Sequence, residues 1–168
     1  MDSASRRAEQ PREPQDIRLI VDTIPTLTWS ARPDGSADFF NQRWLDYTGL
    51  GAEQAVDWGW QIAIHADDLH RMMAGFDEAL KLARPFEAEG RLRRSDGEFR
   101  WFLFRASPLR DESGKVVKWY GTNTDIENRK RAEDALRANE QNLRLLVDSI
   151  PGLVVTTTPA GEIELLNP

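Results

Sequence analysis

Short apolar runs separated by glycine-containing turns dominate the first 125 residues of the chain. Runs of this length, rich in aromatic and β-branched residues, predict strands. The turns contain Gly35, Gly97 and Gly114, and the Asp96–Gly97 pair predicts a type I′ hairpin turn. The predicted strands cover Leu27–Ala31, Ala37–Phe40, Phe86–Arg94, Glu98–Leu109 and Lys115–Asp125.

Helical spacing of apolar residues predicts three helices before the third strand. Asp16–Ile24 ends at a proline, and Asn41–Tyr47 is short and ends at Gly49. The longest begins at Asp67 or Asp68 as N-cap and runs to Ala83. Its apolar face consists of Leu69, Met72, Met73, Phe76, Leu80 and Ala83.

Gly51–Ile64 has no clear period, and we expect it to be irregular, with Trp58 and Trp60 anchored in the core. The order of elements is two strands, small helices, one longer helix and three strands that follow one another. This order predicts an α+β domain with one five-stranded antiparallel sheet and helices over one of its faces.

A heptad pattern follows this domain. Apolar positions recur at spacings of four and three, with one polar member, which predicts a long amphipathic linker helix over residues 126–150. A parallel coiled coil of two copies and a single unpaired helix both fit so short a stripe. The positions of the stripe are Ala132, Leu136, Asn139, Leu143, Leu146 and Ile150.

The end of the chain repeats its beginning. Arg18–Pro25 reads RLIVDTIP and Arg144–Pro151 reads RLLVDSIP, and the match continues without a gap from Leu27/Leu153 to Asn41/Asn167 at a constant offset of 126 residues. A period this long corresponds to a whole domain with its connector. We therefore expect a disordered tail (1–15), one complete domain (16–125), the linker helix (126–150, overlapping the second copy from about 144) and the truncated beginning of a second domain (151–168).

Composition excludes several classes of function. A net charge of −6 argues against nucleic-acid binding, and the absence of cysteine excludes disulfides and thiolate metal sites. No apolar run is long enough to cross a membrane, and Met1–Gln15 lacks the apolar segment of a signal peptide, so we expect a cytoplasmic location for this segment. A membrane span elsewhere in a longer parent protein stays open.

A set of short motifs follows in a fixed order along the predicted domain. They are Trp60, Ile64–Asp68 (IHADD), Phe86–Phe102 (FEAEGRLRRSDGEFRWF), Ala106–Asp111 (ASPLRD), Gly114, Trp119–Ile126 (WYGTNTDI) and Arg129–Glu133 (RKRAE). In this order and spacing the chain resembles the PAS superfamily, in the fold-3 form that carries a C-terminal PAC segment. The resemblance extends over about Asp16–Leu136 and has two departures: Ala66 stands where the family has proline, and Glu127 where it has threonine.

This resemblance implies a sensory and dimerisation module that binds a small molecule between sheet and helices, or binds none and relays strain. Its output passes through the C-terminal helix, and we expect a homodimer through that helix. Serial copies of such a module look like the input half of a bacterial sensor histidine kinase in a two-component phosphorelay. The alternatives are the input of a diguanylate cyclase and a ligand-free dimerisation spacer. The expected relay residues are Asp125, Ile126, Leu136, Asn139, Leu143 and Leu146.

No cofactor is identified by the sequence, and no catalytic residue is expected in it. The candidate ligand cage consists of aromatic residues and one methionine, although such residues are more often simply core. His65 and His70 are five residues apart, which does not suit a metal pair on one helix face, and His70 is the better candidate for a haem ligand. The candidate cage is Trp29, Phe40, Trp44, Met73, Trp101, Phe104 and Trp119.

Arginines on neighbouring strands offer a second candidate site. Arg91, Arg93, Arg100 and Arg105 could together bind an anion. The alternative, which we favour, is that they pair across the sheet with glutamates. The glutamates available for such pairs are Glu87, Glu89 and Glu98.

Overall fold

The computed structural model describes residues 21–148, 155–157, 159–160 and 163–166. The chain divides after Ile126 into two compact units. The tail predicted over residues 1–15, the beginning of the first predicted helix at 16–20 and Ile150 of the heptad stripe lie outside the described residues.

One antiparallel sheet forms the first unit, as the sequence predicted. Its strand order is β2-β1-β5-β4-β3, so the hairpin of the first two strands lies beside the last strand. Along β4, buried Phe102, Phe104 and Ala106 alternate with more exposed residues, because successive side chains of a strand point to opposite faces. The strands are β1 (Leu27–Ala31), β2 (Ala37–Phe40), β3 (Phe86–Arg93), β4 (Phe99–Arg110) and β5 (Val116–Asp125).

The β3–β4 turn differs from the predicted type I′ turn. Gly97 has a φ of +93°, but Asp96 does not, because the non-glycine residues with positive φ in the described chain are Asp57 and Ala83. The backbone N–H of Gly97 donates to Arg94 O (2.9 Å), and Arg94 N–H donates to Glu98 O (2.8 Å). This is a three-residue loop with glycine in the left-handed position. The Asp96 carboxylate accepts from Glu98 N–H (3.1 Å) and holds the loop in this form.

Replacing Gly97 with valine is expected to lower the free energy of unfolding by about 1–3 kcal/mol, the usual cost of a disfavoured backbone conformation. A side chain at this position would meet nothing within 4 Å, so the loss would come from the positive φ alone. Ser95→Val, in the same exposed turn, is the control and should change stability by a few tenths of a kcal/mol. Denaturant melts measure both. Equal losses in the two variants would reject the left-handed turn.

Helices cover one face of the sheet, and the first is attached to β1 by a buried asparagine. Asn41 Oδ1 accepts from Thr28 N–H (3.0 Å) and Trp44 N–H (3.1 Å), and its Nδ2 donates to Thr26 O (2.9 Å). Asn41 therefore caps the helix and fixes it to the strand at once. The helices of this unit are α1 (Gln42–Thr48), α2 (Ala52–Ala55), a 3₁₀ helix (Gly59–Ala63) and α3 (Ala66–Leu82).

Two predictions around α3 were wrong. Its N-cap is His65, whose Nδ1 accepts from Asp67 N–H (3.3 Å), so Asp67 and Asp68 lie in the first turn instead. Trp58 is not a core residue, because 40% of it is exposed, whereas Trp60 packs against the core. The local pattern cannot separate a cap from the residue that follows it when several polar residues stand in a row.

The second unit contains a long helix and a hairpin. Helix α4 (Glu127–Asp148) agrees with the predicted linker, and β6 (Val155–Thr157) pairs with β7 (Ile163–Leu166). The β6–β7 register repeats that of β1–β2: Trp29 pairs with Phe40, and Val155, 126 residues later, pairs with Leu166. Both hairpins also carry a register shift at the same relative position.

Candidate functional site

A cavity lies between the sheet and the helices of the first unit. All five strands contribute to its wall, and so do α1, the 3₁₀ helix and α3. It is small, about 30 Å³, which accommodates one or two water molecules. Its lining residues are Trp29, Gly35, Ala37, Phe40, Trp44, Trp60, Ile64, Met72, Phe76, Phe86, Leu92, Phe104 and Asn123.

The predicted cage agrees only in part with this wall. Trp29, Phe40, Trp44 and Phe104 line the cavity, while three predicted members do not. The three that lie elsewhere are Met73, Trp101 and Trp119.

Each of these three has a different environment. Met73 stands one position away from Met72, which faces the cavity in its place, and its sulfur accepts from Gln61 Nε2 (3.4 Å). Trp101 lies under the guanidinium of Arg91, with 5.3 Å from Cζ to the ring centroid. Trp119 is fully buried in a second cluster of the core. Met73 differs from Met72 by one residue of helix rotation, and Trp101 lies on the opposite face of β4 from Phe104. Trp119 shares the buried face of β5 with Asn123 but lies four residues away along the strand.

Asn123 supplies the amide of the cavity wall, which also contains Trp44 Nε1, a buried donor without a hydrogen-bond partner among the described residues. It is 3% exposed, and its Oδ1 accepts from Trp29 Nε1 at 3.0 Å. The Trp29 indole lies directly over Gly121, where a Cβ atom would come within 2.2 Å of Trp29 Cε2. Because only glycine leaves this space, Gly121 positions the indole, and the indole in turn orients Asn123.

The acidic cluster at the start of α3 forms an ion pair with the edge strand. Asp68 is buried, and its Oδ2 accepts from both the backbone N–H (2.9 Å) and Nε (2.8 Å) of Arg91. Burial opposes ionisation of Asp68, but the hydrogen bonds and charge of Arg91, with Arg71 nearby, outweigh it and hold the pKa of Asp68 below its ordinary value. The carboxylate therefore stays charged and ties α3 to the edge of the sheet.

Neither histidine lines the cavity. His65 caps α3 and stacks edge-to-face on Phe99, with ring centroids 4.7 Å apart, and His70 is exposed on α3. Within the described residues, no three His, Asp or Glu side chains are grouped so that they could hold a metal ion.

The sequence favoured pairing of the four strand arginines with glutamates across the sheet. Arg105 follows this prediction, and Arg100 makes a cross-strand pair with an aspartate instead. Arg105 pairs with its register partner Glu87 (2.7 Å), as predicted. Arg100 pairs with Asp125 (3.2 Å), and Arg91 pairs with Asp68. Arg91, Arg100 and Arg105 are thus distributed among separate carboxylates and do not form one anion site.

The predicted relay residues Asp125 and Ile126 lie at the exit from the domain. Asp125, the last residue of β5, pairs with Arg100 of the neighbouring strand, and buried Ile126 donates its N–H to Trp101 O (2.9 Å). Tyr47 of α1 lies in the same electrostatic surroundings, and burial, with the nearby charge of Asp125, raises its pKa to about 12. The end of β5 is therefore held to β4 by the Arg100–Asp125 ion pair and the Ile126–Trp101 backbone hydrogen bond, in addition to the pairing of the two strands.

The other predicted relay residues lie on α4. Leu136, Leu143 and Leu146 are 61–64% exposed, and Asn139 between them is exposed as well. An apolar stripe that is exposed along three turns is unusual for a helix with polar surroundings.

Sequence reasoning missed three residues that organise the site: Asn41, Asp68 as an ion-pair partner, and Asn123. Asn41 carried a signal, because it precedes a helix and recurs at position 167. Asp68 and Asn123 carried none, because their partners are 23 and 94 residues away in the chain.

Comparison with known proteins agrees with this geometry. A family model described as PAS fold matches residues 37–123. The peroxide stress-activated histidine kinase mak1 of Schizosaccharomyces pombe is 34% identical over 158 residues, which cover 90% of this chain and 10% of that protein. The chain spans less than a quarter of the length of the first curated relatives that it matches.

Solved structures share the fold. A sensory box histidine kinase/response regulator from Burkholderia thailandensis is 28% identical and superposes with a TM-score of 0.57, covering 76% of this chain and 97% of that one. An RNA-binding light-oxygen-voltage receptor reaches a TM-score of 0.68 at 17% identity, covering 84% of this chain and 41% of that one. None of the described helices has both the length and the apolar character that crossing a bilayer requires.

Proposed function

Because the chain belongs to the PAS fold family, we propose that it is the sensory input region of a histidine kinase that acts in a two-component phosphorelay. A change at the cavity would reach the output through β5, whose inner residue Asn123 lies two positions before Asp125. The location that we propose for this region is the cytoplasm.

The observation that carries this proposal is the connection between β5 and α4. Asp125 and Ile126 are held to β4, and one residue later a 22-residue helix begins. A movement of the last β5 residues would therefore alter the direction or rotation of α4. A helix can transmit such a change over a distance of about 1.5 Å per residue.

We propose that α4 pairs in parallel with α4 of a second copy. The stripe of Leu136, Leu143 and Leu146 is exposed in the single chain, and a homodimer would bury it. Rotation or a register change of the paired helices would then pass between successive modules.

The beginning of a second PAS module after α4 is part of the same proposal. The shared register of the two hairpins, at a constant offset of 126 residues and with the same register shift, supports it. A series of modules joined by helices would let one input bias the next.

The proposal is tested by fusing the chain through α4 to the catalytic half of a histidine kinase and inserting residues after Glu140. Insertion of seven residues keeps the heptad phase and should preserve autophosphorylation. Insertion of four residues rotates the downstream helix and should change autophosphorylation by roughly tenfold or more, the scale of about 1.4 kcal/mol of coupling. Equal activity in both insertions would reject transmission through α4.

The isolated chain is expected to transfer no phosphate. It contains neither a glycine-rich phosphate loop nor an ATP-lid motif. Incubation with labelled ATP measures this directly. Reproducible label on His65 or His70 would contradict the assignment of this region as sensory.

A further inference from the structure

The geometry points to a neutral, flat ligand with one hydrogen-bond acceptor, which enters the cavity by displacing Trp60 and is anchored by the amide N–H₂ of Asn123. This inference rests on the proposed sensory function and specifies the chemistry of its input. It follows from the polar inventory of the cavity wall, from how firmly each lining residue is held, and from the size of the indole that would leave.

The wall contains aromatic and aliphatic side chains, one asparagine and no charged residue. Moving a charged molecule from water into such surroundings without a counter-charge is strongly unfavourable. The ligand should therefore be uncharged, and the many aromatic rings favour a flat molecule that can pack between them.

Asn123 provides the specific contact. The side chain is buried and lines the cavity, and its Oδ1 accepts the hydrogen bond from Trp29 Nε1, so its Nδ2 is the group of the amide that is available to a ligand. An asparagine amide offers two N–H donors, and a buried donor without a partner is costly. A ligand oxygen or ring nitrogen would satisfy it, whereas a purely hydrocarbon ligand would leave it unpaired.

Trp60 is the least firmly held of the partly exposed residues that line the cavity. Trp29, Trp60 and Phe86 are the partly exposed aromatic residues that line the cavity. Trp29 is fixed by Asn123 and Gly121, and Phe86 belongs to a paired strand. The Trp60 indole makes no hydrogen bond and no ring pair with other described residues, and the residue lies on a 3₁₀ helix, whose hydrogen bonds are weaker than those of an α-helix.

The segment that carries Trp60 is anchored at both ends. At one end, Asp57 exchanges two backbone hydrogen bonds with Ala37 (2.7 and 3.0 Å) and adopts a strained φ of 55°. At the other end, Ile64 bridges Leu92 of β3. Residues 58–63 therefore form a short flap between two fixed points, and its movement would open the cavity without disturbing the sheet.

Displacement of Trp60 also sets the size of the ligand. The closed cavity, about 30 Å³, is too small for an aromatic molecule. An indole that swings out vacates the space of two fused rings. A bicyclic aromatic of that size would take its place, with the acceptor directed at Asn123.

Three probes of nearly equal shape test this inference on the 168-residue chain: quinoline has a ring-nitrogen acceptor, naphthalene has none, and N-methylquinolinium is charged. Titrations followed by the indole N–H signals in ¹H–¹⁵N spectra give the dissociation constants. Quinoline should bind two- to tenfold more tightly than naphthalene, roughly the effect of one hydrogen bond, and N-methylquinolinium should not bind. Absence of quinoline binding, or equal binding of all three, would overturn the inference.

Variants of Asn123 and of Trp60 test the anchor and the entrance separately. Asn123→Leu should remove the preference for quinoline over naphthalene. If that variant fails to fold, Asn123→Met keeps a weak acceptor for Trp29, the thioether sulfur, and has no donor, with the same expected result. Trp60→Ala should bind quinoline roughly tenfold more tightly because no indole competes for the space, while Trp58→Ala, on the same flap but outside the wall, should bind as the wild type does.

A preference for quinoline that survives in both Asn123 variants would exclude Asn123 as the anchor, and equal effects of Trp60→Ala and Trp58→Ala would exclude Trp60 as the entrance. The insertion experiment in α4 needs no ligand. If no probe binds but the activity of the kinase fusion depends on heptad phase, the ligand inference is rejected and the sensory function is kept. If quinoline binds as expected but both insertions are equally active, transmission through α4 is rejected and the ligand inference is kept.

Discussion

Leu143→Glu is expected to weaken self-association of the chain by about a hundredfold or more. Leu143 is in the centre of the α4 stripe and 62% exposed in the single chain, so a parallel dimer would bury two copies of it. Burial of each leucine stabilises the dimer by about 1.5–3 kcal/mol, and a factor of ten corresponds to about 1.4 kcal/mol. Two glutamates near the dimer axis would add repulsion. Sedimentation equilibrium measures the change.

The matched control is Leu145→Glu. Leu145 is 67% exposed on the same helix, two residues away and outside the heptad stripe, so its replacement should leave association unchanged. The thermal melt of the first unit should be the same in both variants, because both residues lie beyond Ile126. A monomeric wild type would end the paired-helix mechanism. A wild-type dimer that Leu143→Glu leaves intact would move the interface elsewhere, and the helix predicted over Asp16–Ile24 would be the next surface to test.

Asp68→Ala should destabilise the first unit by about 3 kcal/mol, the scale of breaking a buried ion pair by removing one partner. The variant removes three hydrogen-bond contacts with Arg91 and leaves that guanidinium, 27% exposed, beside an empty space. Asp67→Ala is the control, because Asp67 is 74% exposed and contributes one contact of 3.3 Å to the same arginine. We expect Asp67→Ala to cost less than about 1 kcal/mol.

The pH dependence of this difference has a defined sign. The pKa of Asp68 is lowered in the folded protein, so its ionised form stabilises the fold at every pH above the unfolded pKa of 3.8. The stabilisation is lost as the pH falls through the lower, folded pKa. Urea melts of wild type and Asp68→Ala should therefore differ fully at pH 7 and converge below about pH 4. A difference that is constant from pH 7 to pH 3 would show that lost packing, not lost charge, causes the effect.

Local chemistry was enough to predict the strands, the main helices and the linker. A glycine in each hairpin loop, a glycine after α1 and a heptad period in α4 act within a few residues, so the chain records them directly. The same reasoning was less exact where several polar residues adjoin, and it assigned the N-cap of α3 to Asp67 or Asp68 when His65 holds it. At the β3–β4 turn it found the glycine correctly but not the conformation of Asp96.

The cavity wall shows the limit of such reasoning. Aromatic residues were predicted to be internal, and most are. The sequence did not indicate that Trp119 belongs to a second cluster, that Trp101 packs under Arg91, or that Met72 faces the cavity in place of Met73. These outcomes depend on the rotation of one helix for Met72, on the face of β4 for Trp101 and on the position along β5 for Trp119. Packing against distant elements settles all three.

By itself, the sequence determined the α+β fold class, the order of the elements, the amphipathic linker helix and the 126-residue repeat, because each depends on spacing along the chain. Only the tertiary structure decided which residues meet. It joined Asp68 to Arg91, Arg100 to Asp125, and Trp29 to Asn123 across 94 positions. Those contacts require that the strands be aligned in the order β2-β1-β5-β4-β3, and strand alignment is a property of the folded sheet as a whole.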